Sequence, residues 1–308
     1  MVRADGQVAK AGGRVVKNVA GYDLMKLLTG SYGSLGVISE VTLRLYPLPE
    51  ITQTLLLIGT VPRMAEAVPQ ILNSSLTPMG VDLLSSRVVD AGGQPDQWGL
   101  ALRIQGSAAS LAQQGDRIQA LAAALDLDLH VFSADQHREF WQQVDLQLWP
   151  AATQVQAGMV CKFGLLPAQA PAILTKIERY CQTQGIAYWI RLAAGKGSGV
   201  IRLQGPPQGK EVEWIEALRS HCQQAQGFLT LLIAPPTIKQ AIDVWGYTGN
   251  ALGAMQQLKH QFDPYQLLNP GRFGRGYLIQ AQENELLCTE SAEVGQGLKV
   301  RFLSGLKS

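Results

Sequence analysis

Short apolar stretches of strand length alternate with longer stretches of helical periodicity between residues 53 and 236. A first series predicts strand, helix, strand, strand, helix, strand at 54–59, 62–74, 80–85, 99–105, 107–125 and 127–132. After a connecting helix, 133–149, the same order returns at 154–163, 167–184, 186–192, 200–204, 210–224 and 228–233. Two successive β-α-β-β-α-β units predict an α+β fold in which one antiparallel sheet carries its helices on one face.

The N-terminal part of the chain has a different pattern, in which glycine is prominent. Residues 23–29 predict two helical turns, with Gly30 suited to the C-terminal cap. Gly30, Gly33 and Gly36 recur at every third residue, a spacing that allows a close approach of the backbone to another group. Residues 37–45 then predict a strand with one mostly polar face.

Composition describes an ordinary globular chain of 308 residues, with 46% hydrophobic and 16% charged residues. A net charge of +2, with scattered Lys and Arg, argues against a nucleic-acid partner. No apolar run approaches the length of a transmembrane helix, and no signal peptide is visible, so we expect a cytoplasmic location.

The four cysteines predict buried free thiols rather than a metal site. Cys161, Cys181, Cys222 and Cys288 are widely spaced, and no C-x-x-C motif occurs. The four histidines form no metal-ligand pattern either, so we predict no metal or iron–sulfur cluster held by this chain.

Two segments carry a resemblance to a known family. VVKNVAGYDLMKLLTGSYGSLGVISEVTLRLYPLP (15–49) resembles the last part of the FAD-binding domain of the vanillyl-alcohol-oxidase/PCMH flavoprotein superfamily. FDPYQLLNPGR (262–272) is similar to the segment that closes many of its members. Within the superfamily, the chain looks most like the FAD-binding subunit of bacterial glycolate oxidase. The alternative is a glycine-rich strand–helix turn in another α/β fold.

The resemblance implies a domain organisation. Residues 1–51 would be the second part of the FAD-binding domain, 52–236 a ferredoxin-like cap or substrate domain, 237–275 a segment that returns to the FAD domain, and 276–308 a poorly ordered extension. The family's glycine-rich pyrophosphate loop precedes the matched stretch, and neither G-x-G-x-x-G after a strand nor G-x-x-x-x-G-K-[ST] replaces it. We therefore expect a family member that lacks its N-terminal part.

FAD is the cofactor that the resemblance implies, and it also implies which residues would bind it. The K-N-x-x-G-Y-D residues would order the flavin side of the domain interface, or would form a structural turn around a buried tyrosine hydroxyl. The glycine loop would run along FAD, and the C-terminal turn would reach the flavin cleft or would only pack the C-terminus. These cofactor-binding candidates are Lys17, Asn18, Gly21, Tyr22, Asp23, Gly30, Ser31, Gly33, Gly36, Val37, Asn269 and Arg272.

Lys162, Arg191 and Arg202 on predicted cap strands are the candidate catalytic residues. A 2-hydroxy acid needs a cationic group for its carboxylate, ideally a bidentate arginine. The alternative is ordinary exposed strand charge. No histidine is assigned as the base that would take the hydroxyl proton.

The first functional hypothesis is an FAD-dependent oxidoreductase component. The resemblance implies a complex that oxidises glycolate or another small 2-hydroxy acid and passes electrons to an iron–sulfur partner subunit. A second hypothesis is a non-catalytic assembly subunit or remnant. A third, a ferredoxin-like small-molecule-binding module, rests on fold analogy.

Overall fold

The computed structural model describes residues 1–13, 22–89, 97–149, 158–205 and 209–272, and the backbone of 299–303. Two compact units divide the chain. The larger unit is Leu48–Gly246, and the smaller unit combines Met1–Pro47 with Tyr247–Ser308.

The elements follow in chain order. The strands are β1 (Glu40–Arg44), β2 (Ile51–Thr60), β3 (Gly80–Leu84), β4 (Gln97–Gly106), β5 (Asp128–Ser133), β6 (Met159–Gly164), β7 (Ala187–Ala193), β8 (Ser198–Gln204), β9 (Phe228–Ile233) and β10 (Lys299–Leu303). The helices are α1 (Leu24–Leu28), α2 (Val61–Leu72), α3 (Ser86–Val89), α4 (Ala108–Ala124), α5 (Ala134–Leu148), α6 (Ala170–Gln184), α7 (Glu211–Gln224), α8 (Pro236–Ala241) and α9 (Leu252–Phe262).

An eight-stranded antiparallel sheet organises the larger unit, in the order β5-β2-β4-β3-β7-β8-β6-β9. Each half of the sheet comes from one β-α-β-β-α-β series, and the pairing of β3 with β7 joins the halves. This confirms the predicted α+β class and the single antiparallel sheet. The sheet forms because each strand-length apolar run pairs with a neighbouring strand whose side chains alternate between the two faces in the same way.

The two sheet faces are covered unequally. The main core lies on one face, where α2, α4, α6 and α7 contribute Met64, Ile118, Ile177 and Ile215, among others. On β2, alternate residues serve the two faces, and Leu56 belongs to a smaller cluster on the opposite side. That smaller cluster is covered by α5 and α3, so the connecting helix lies on the face away from the other four.

Helix α5 differs in detail from the sequence prediction. The sequence also predicts that Phe140, Val144 and Leu148 form the apolar stripe of α5 and that Ser133 is its N-cap. Val144 and Leu148 are buried, and Phe140 is partly buried against the same cluster beside the buried Trp141. Ser133, the predicted N-cap, makes no side-chain capping bond, and Ala134 has a φ of 48°. The helix is therefore anchored by its apolar stripe rather than by its cap.

Other boundaries also shift. The strand predicted over 37–45 is limited to β1. The sequence pattern also predicts a helix over 237–245, where the structure has only the shorter α8. The short helix α3 was not predicted. The sequence predicts a hairpin over residues 2–16 with its turn at Asp5–Gly6. The structure has an antiparallel bridge between Val2 and Val8, with Gly6 at a φ of 79° in the turn.

The smaller unit has few buried side chains among its described residues. Leu28 and Leu35 are apolar, and the buried polar residues are Ser31, Ser34, Lys259 and Asp263. β1 pairs in parallel with β10, the described part of the predicted 276–308 extension.

Cys161, Cys181 and Cys222, called here the three buried cysteines, are free thiols, as predicted; Cys288 lies outside the described residues. Within the described ranges, no group of His, Cys, Asp or Glu is arranged to hold a metal ion. No described helix is long and apolar enough to span a membrane.

Candidate functional site

The sheet face that carries α5 brings distant charged residues together. Arg103 lies opposite Gly80 in the β3–β4 pairing, and Asp82 is two residues further along β3. Leu84, two residues after Asp82 on β3, lies opposite Arg191 on β7. Because cross-strand partners and alternate residues share a face, Arg103, Asp82 and Arg191 point to the same side of the sheet.

The same face continues into the second half of the sheet. Val200 lies opposite both Arg191 and Lys162, and Arg202 is two residues after Val200. All three sequence-predicted catalytic residues therefore lie on one side, which we call the arginine face. Its members are Asp82, Arg103, Lys162, Arg191 and Arg202.

Arg191 is held by two carboxylates. Its Nε donates to Asp82 Oδ1 at 3.2 Å, and its Nη1 lies 3.4 Å from Asp145 Oδ1 on α5. The Asp82 side chain is 7% exposed, whereas that of Asp145 is 60% exposed. Asp82 is thus a fixed partner, and Asp145 is a loosely held one.

Arg103 shares an aromatic ring with Arg191. The guanidinium carbons of Arg103 and Arg191 lie 4.2 and 4.8 Å from the centroid of Trp141. The Arg103 Nε is buried and has no hydrogen-bond partner among the described residues. Burial lowers the pKa of Arg103; Asp82 raises it and the neighbouring charge of Arg191 lowers it again. Two cations therefore meet on one indole, and one of them keeps an unused buried donor.

Sequence reasoning missed Arg103. The available signal was its position on β4, where Ala101, Arg103 and Gln105 alternate with the buried Leu102 and Ile104. That alternation places Arg103 on the face away from the main core. It does not say which other strand lies beside it.

A short hydrogen-bond chain fixes the ring beneath the two arginines. Trp141 Nε1 donates to the fully buried Thr54 Oγ1 at 2.8 Å. The same Oγ1 lies 2.9 Å from His137 Nδ1. Burial, and then the charges of Arg103 and Arg138, lower the pKa of His137. A neutral His137 whose Nδ1 accepts from the Thr54 hydroxyl satisfies the chain, since Trp141 can only donate.

Arg202 and Lys162 do not join this pair. Arg202 lies 4.6 Å from the centroid of Trp189 and donates to Gln147 O at 2.8 Å and to Gln204 Oε1 at 3.2 Å. Burial lowers the pKa of Arg202. Lys162 is exposed. The arginine face thus holds Arg103 with Arg191 around one tryptophan and Arg202 at another.

In the smaller unit, the glycine loop closes on itself. A Cβ at Gly33 would lie 2.8 Å from Asn269 Nδ2, and that nitrogen donates to Tyr32 O at 2.6 Å. A Cβ at Gly36 would lie 3.3 Å from Val2 O. The close approach that the glycine spacing predicts therefore serves contacts within the chain.

The remaining cofactor candidates have mixed surroundings. Asp23 caps α1 by accepting from the Lys26 amide, and hydrogen bonds from Lys26 lower the pKa of Asp23. Tyr22 is 96% exposed, so the alternative of a turn around a buried tyrosine hydroxyl is wrong. Arg272 is exposed. Lys17, Asn18 and Gly21 lie outside the described residues.

A buried ion pair ties the C-terminal turn to the glycine loop. Lys259 Nζ donates to Ser34 O and Leu268 O, each at 2.8 Å, and to the Asp263 carboxylate. Asp263 also accepts from the amides of Leu267 and Leu268 at 2.9 and 2.8 Å. Sequence reasoning did not single out this pair, although its i, i+4 spacing on a helix was visible.

These residues fit FAD in part. Gly30 has a φ of 82° and open space around it, and Val37 is half-exposed, so both are accessible to a ligand. The amides of Ser31 and Ser34 are already bonded to carbonyls of the same chain. Among the described residues of this unit, no buried side-chain donor lacks a partner. The loop therefore leaves Gly30 and Val37 accessible, while the amides of Ser31 and Ser34 are engaged within the chain.

Comparison with known proteins supplies the family context. No protein-family model matches the chain. It is 25% identical over 272 residues to glycolate oxidase subunit GlcE of Escherichia coli (strain K12), covering 88% of this chain and 63% of that protein. It is 38% identical over 85 residues to glycolate oxidase subunit GlcD of Bacillus subtilis (strain 168), covering 27% of this chain and 18% of that protein.

A solved structure shows the same fold at low identity. The 4-ethylphenol oxidase from Gulosibacter chungangensis matches with a TM-score of 0.53 and 13% identity, over 74% of this chain and 55% of that one. The chain is distantly similar in sequence to glycolate oxidase subunits and similar in fold to a solved oxidase. It spans less than two thirds of the length of the relatives named here. Its relation to glycolate oxidase subunits is distant.

Proposed function

We propose that this chain is a component of an FAD-dependent oxidoreductase that oxidises a small 2-hydroxy acid. The observation that carries the proposal is the pair of Arg103 and Arg191 on one tryptophan ring, on the arginine face of a chain related to FAD-linked oxidases. A guanidinium binds a carboxylate through parallel N–H bonds, which gives both affinity and orientation. The substrate class follows from that chemistry and from the glycolate oxidase relatives.

The proposal assigns separate tasks to the two units. The larger unit binds the acid through the arginine face, where Arg191, Arg202 and Lys162 provide positive charge. The smaller unit lines FAD with Gly30, Val37 and the other members of the glycine loop. When bound, FAD supplies the redox chemistry that protein side chains lack.

Partner subunits are part of the proposal, because the relatives are named as subunits of glycolate oxidase. An iron–sulfur subunit is the proposed electron acceptor. The missing pyrophosphate donors are proposed to come from residues other than those described here. Neither assignment requires a metal ligand from this chain.

A second function is favoured by the surface of the smaller unit. Tyr22, Tyr46 and Leu48, the last at the adjoining start of the larger unit, are 96%, 74% and 93% exposed. Large exposed apolar side chains, such as the neighbouring Tyr46 and Leu48, are typical of chains that assemble with partners. A non-catalytic assembly subunit would carry this surface without needing FAD.

Flavin reduction separates the two functions. The purified protein is mixed with FAD under anaerobic conditions, and glycolate is added. The oxidoreductase proposal expects the visible flavin bands to bleach with glycolate and to persist with glycolamide, its uncharged isostere. The assembly role would be established instead if the chain assembles with partner subunits and no preparation that contains it reduces flavin with any small 2-hydroxy acid.

A further inference from the structure

We infer that Arg103 and Arg191 form a small-carboxylate site on Trp141 in which Asp145 is a displaceable internal occupant. The inference rests on the proposed function for the identity of the acid. It adds which residues bind the carboxylate and what competes with it.

Arg103 has unused binding capacity. Its guanidinium stacks on Trp141, and its buried Nε has no partner among the described residues. A buried N–H without an acceptor is costly, so an incoming oxyanion gains a hydrogen bond there and also relieves that cost. Arg191, by contrast, already has Asp82 as a close and buried partner.

Asp145 occupies the place that a ligand carboxylate would take. It is a carboxylate beside Arg191, but at 3.4 Å and with a side chain that is 60% exposed. A contact of this length between an exposed acid and an arginine contributes little free energy. A ligand that reaches Arg103 and Arg191 together can therefore displace Asp145 while Asp82 stays in place.

The floor beside Arg103 has room. Gly80 lies directly opposite Arg103, and the nearest atom to a Cβ built there is Asp82 Oδ2 at 3.5 Å. The cross-strand partners of Asp82 are Ala101 and Ala193, both small. The residues directly opposite Asp82 are therefore small, and a Cβ at Gly80 would make only an ordinary contact with Asp82.

The ring orients the site. Trp141 is fixed by its bond to Thr54, which in turn contacts His137. Because the indole cannot rotate without breaking this bond, both guanidinium groups keep a defined plane. A small monocarboxylate matches two guanidinium groups on one ring better than a large or neutral ligand does.

The test is calorimetric titration of the purified protein with glycolate, without flavin. Glycolate is expected to bind and glycolamide not to bind, since the neutral amide cannot form charge-assisted bonds. Arg103→Gln is expected to weaken glycolate binding about tenfold or more, and Arg103→Lys by less, because lysine keeps the charge but not the fork. Arg117→Gln, an exposed arginine on α4, is the matched control and is expected to leave binding unchanged.

Three further variants test displacement and space without removing the arginine. Asp145→Asn is expected to tighten glycolate binding about two- to fivefold, because it removes the competing charge. Gly80→Leu is expected to block the site, whereas Gly80→Ala, whose Cβ has room, is expected to bind nearly as the parent does.

The inference is overturned if Arg103→Gln binds glycolate like the parent, if glycolamide binds equally well, or if Asp145→Asn weakens binding. These results are distinguishable from failure of the proposed function. If glycolate affinity changes in the variants as expected but flavin is not reduced, the site is supported and the oxidoreductase role is rejected. If glycolate reduces flavin equally well in the parent and in Arg103→Gln, the oxidoreductase role is supported and the site is rejected.

Discussion

The Lys259–Asp263 pair gives the most demanding prediction for the smaller unit, through the substitution Lys259→Met. The lysine side chain is 4% exposed and the aspartate side chain is not exposed at all. Methionine keeps the length of the side chain but removes the ammonium group. The change leaves a buried carboxylate without its counter-charge, and it leaves the carbonyls of Ser34 and Leu268 without a donor.

The expected cost is large. Removing one partner of a buried ion pair destabilises a protein by about 3–5 kcal/mol, since the remaining charge stays desolvated. The two amide bonds to Asp263 persist and soften this loss, so we expect the lower end, about 3 kcal/mol. Lys259→Met/Asp263→Asn removes the uncompensated charge and is expected to regain part of the stability.

Hydrogen exchange can assign the loss to one unit. All six tryptophans lie in Leu48–Gly246, so tryptophan fluorescence reports the larger unit alone. We expect peptides covering α1 and α9 to lose about a hundredfold or more of their exchange protection, while the fluorescence transition in urea is unchanged.

Lys26→Met is the matched control. Lys26 pairs with Asp23 in the same unit, but its side chain is 87% exposed, and no measurable change is expected. Unaltered protection in Lys259→Met, or a loss shared equally by Lys26→Met, would refute the reasoning that burial makes this pair essential.

Three further predictions follow from charge and burial. Burial alone would raise the pKa of Asp263, but hydrogen bonds from Lys259 and two amides lower it overall. The stabilising contribution of Asp263 is therefore complete above about pH 4 and is lost as the pH falls through the lower native pKa. Asp263→Asn should reduce the dependence of the free energy of unfolding on pH in the acid range, measured by circular dichroism in urea. Asp82→Asn, which weakens the fixed partner of Arg191, should destabilise the larger unit by about 1–3 kcal/mol in fluorescence-monitored urea unfolding. Burial raises the pKa of each of the three buried cysteines to about 12, so mass spectrometry should find them unmodified by iodoacetamide in native protein and modified after unfolding.

The alternation of apolar and polar residues predicted the larger unit well because most of its elements are half-buried. β9 was predicted with its observed bounds, and α4 and α6 to within a few residues. The apolar stripe of α5 shows what periodicity leaves open. Phe140 and Trp141 are adjacent, and stripes through either one include Val144 and Leu148, so periodicity alone could not choose. The indole was selected by its hydrogen bond to Thr54, which lies 87 residues earlier.

The site was less accessible from sequence. Arg191 was identified because an arginine on a cap strand is a plausible carboxylate ligand. Its association with Arg103 and Asp82 depends on the register between β3, β4 and β7, which no local pattern specifies. The glycine loop was located correctly, but the contacts of Gly33 belong to Asn269, and only the folded chain shows that partner.

The absorption spectrum of the purified protein, after incubation with FAD and desalting, tests the central claim most directly. We predict visible flavin bands that survive desalting and that bleach when glycolate is added without oxygen. A folded protein that stays colourless, both alone and with its partner subunits, would contradict the account and would leave the assembly role as the function of this chain.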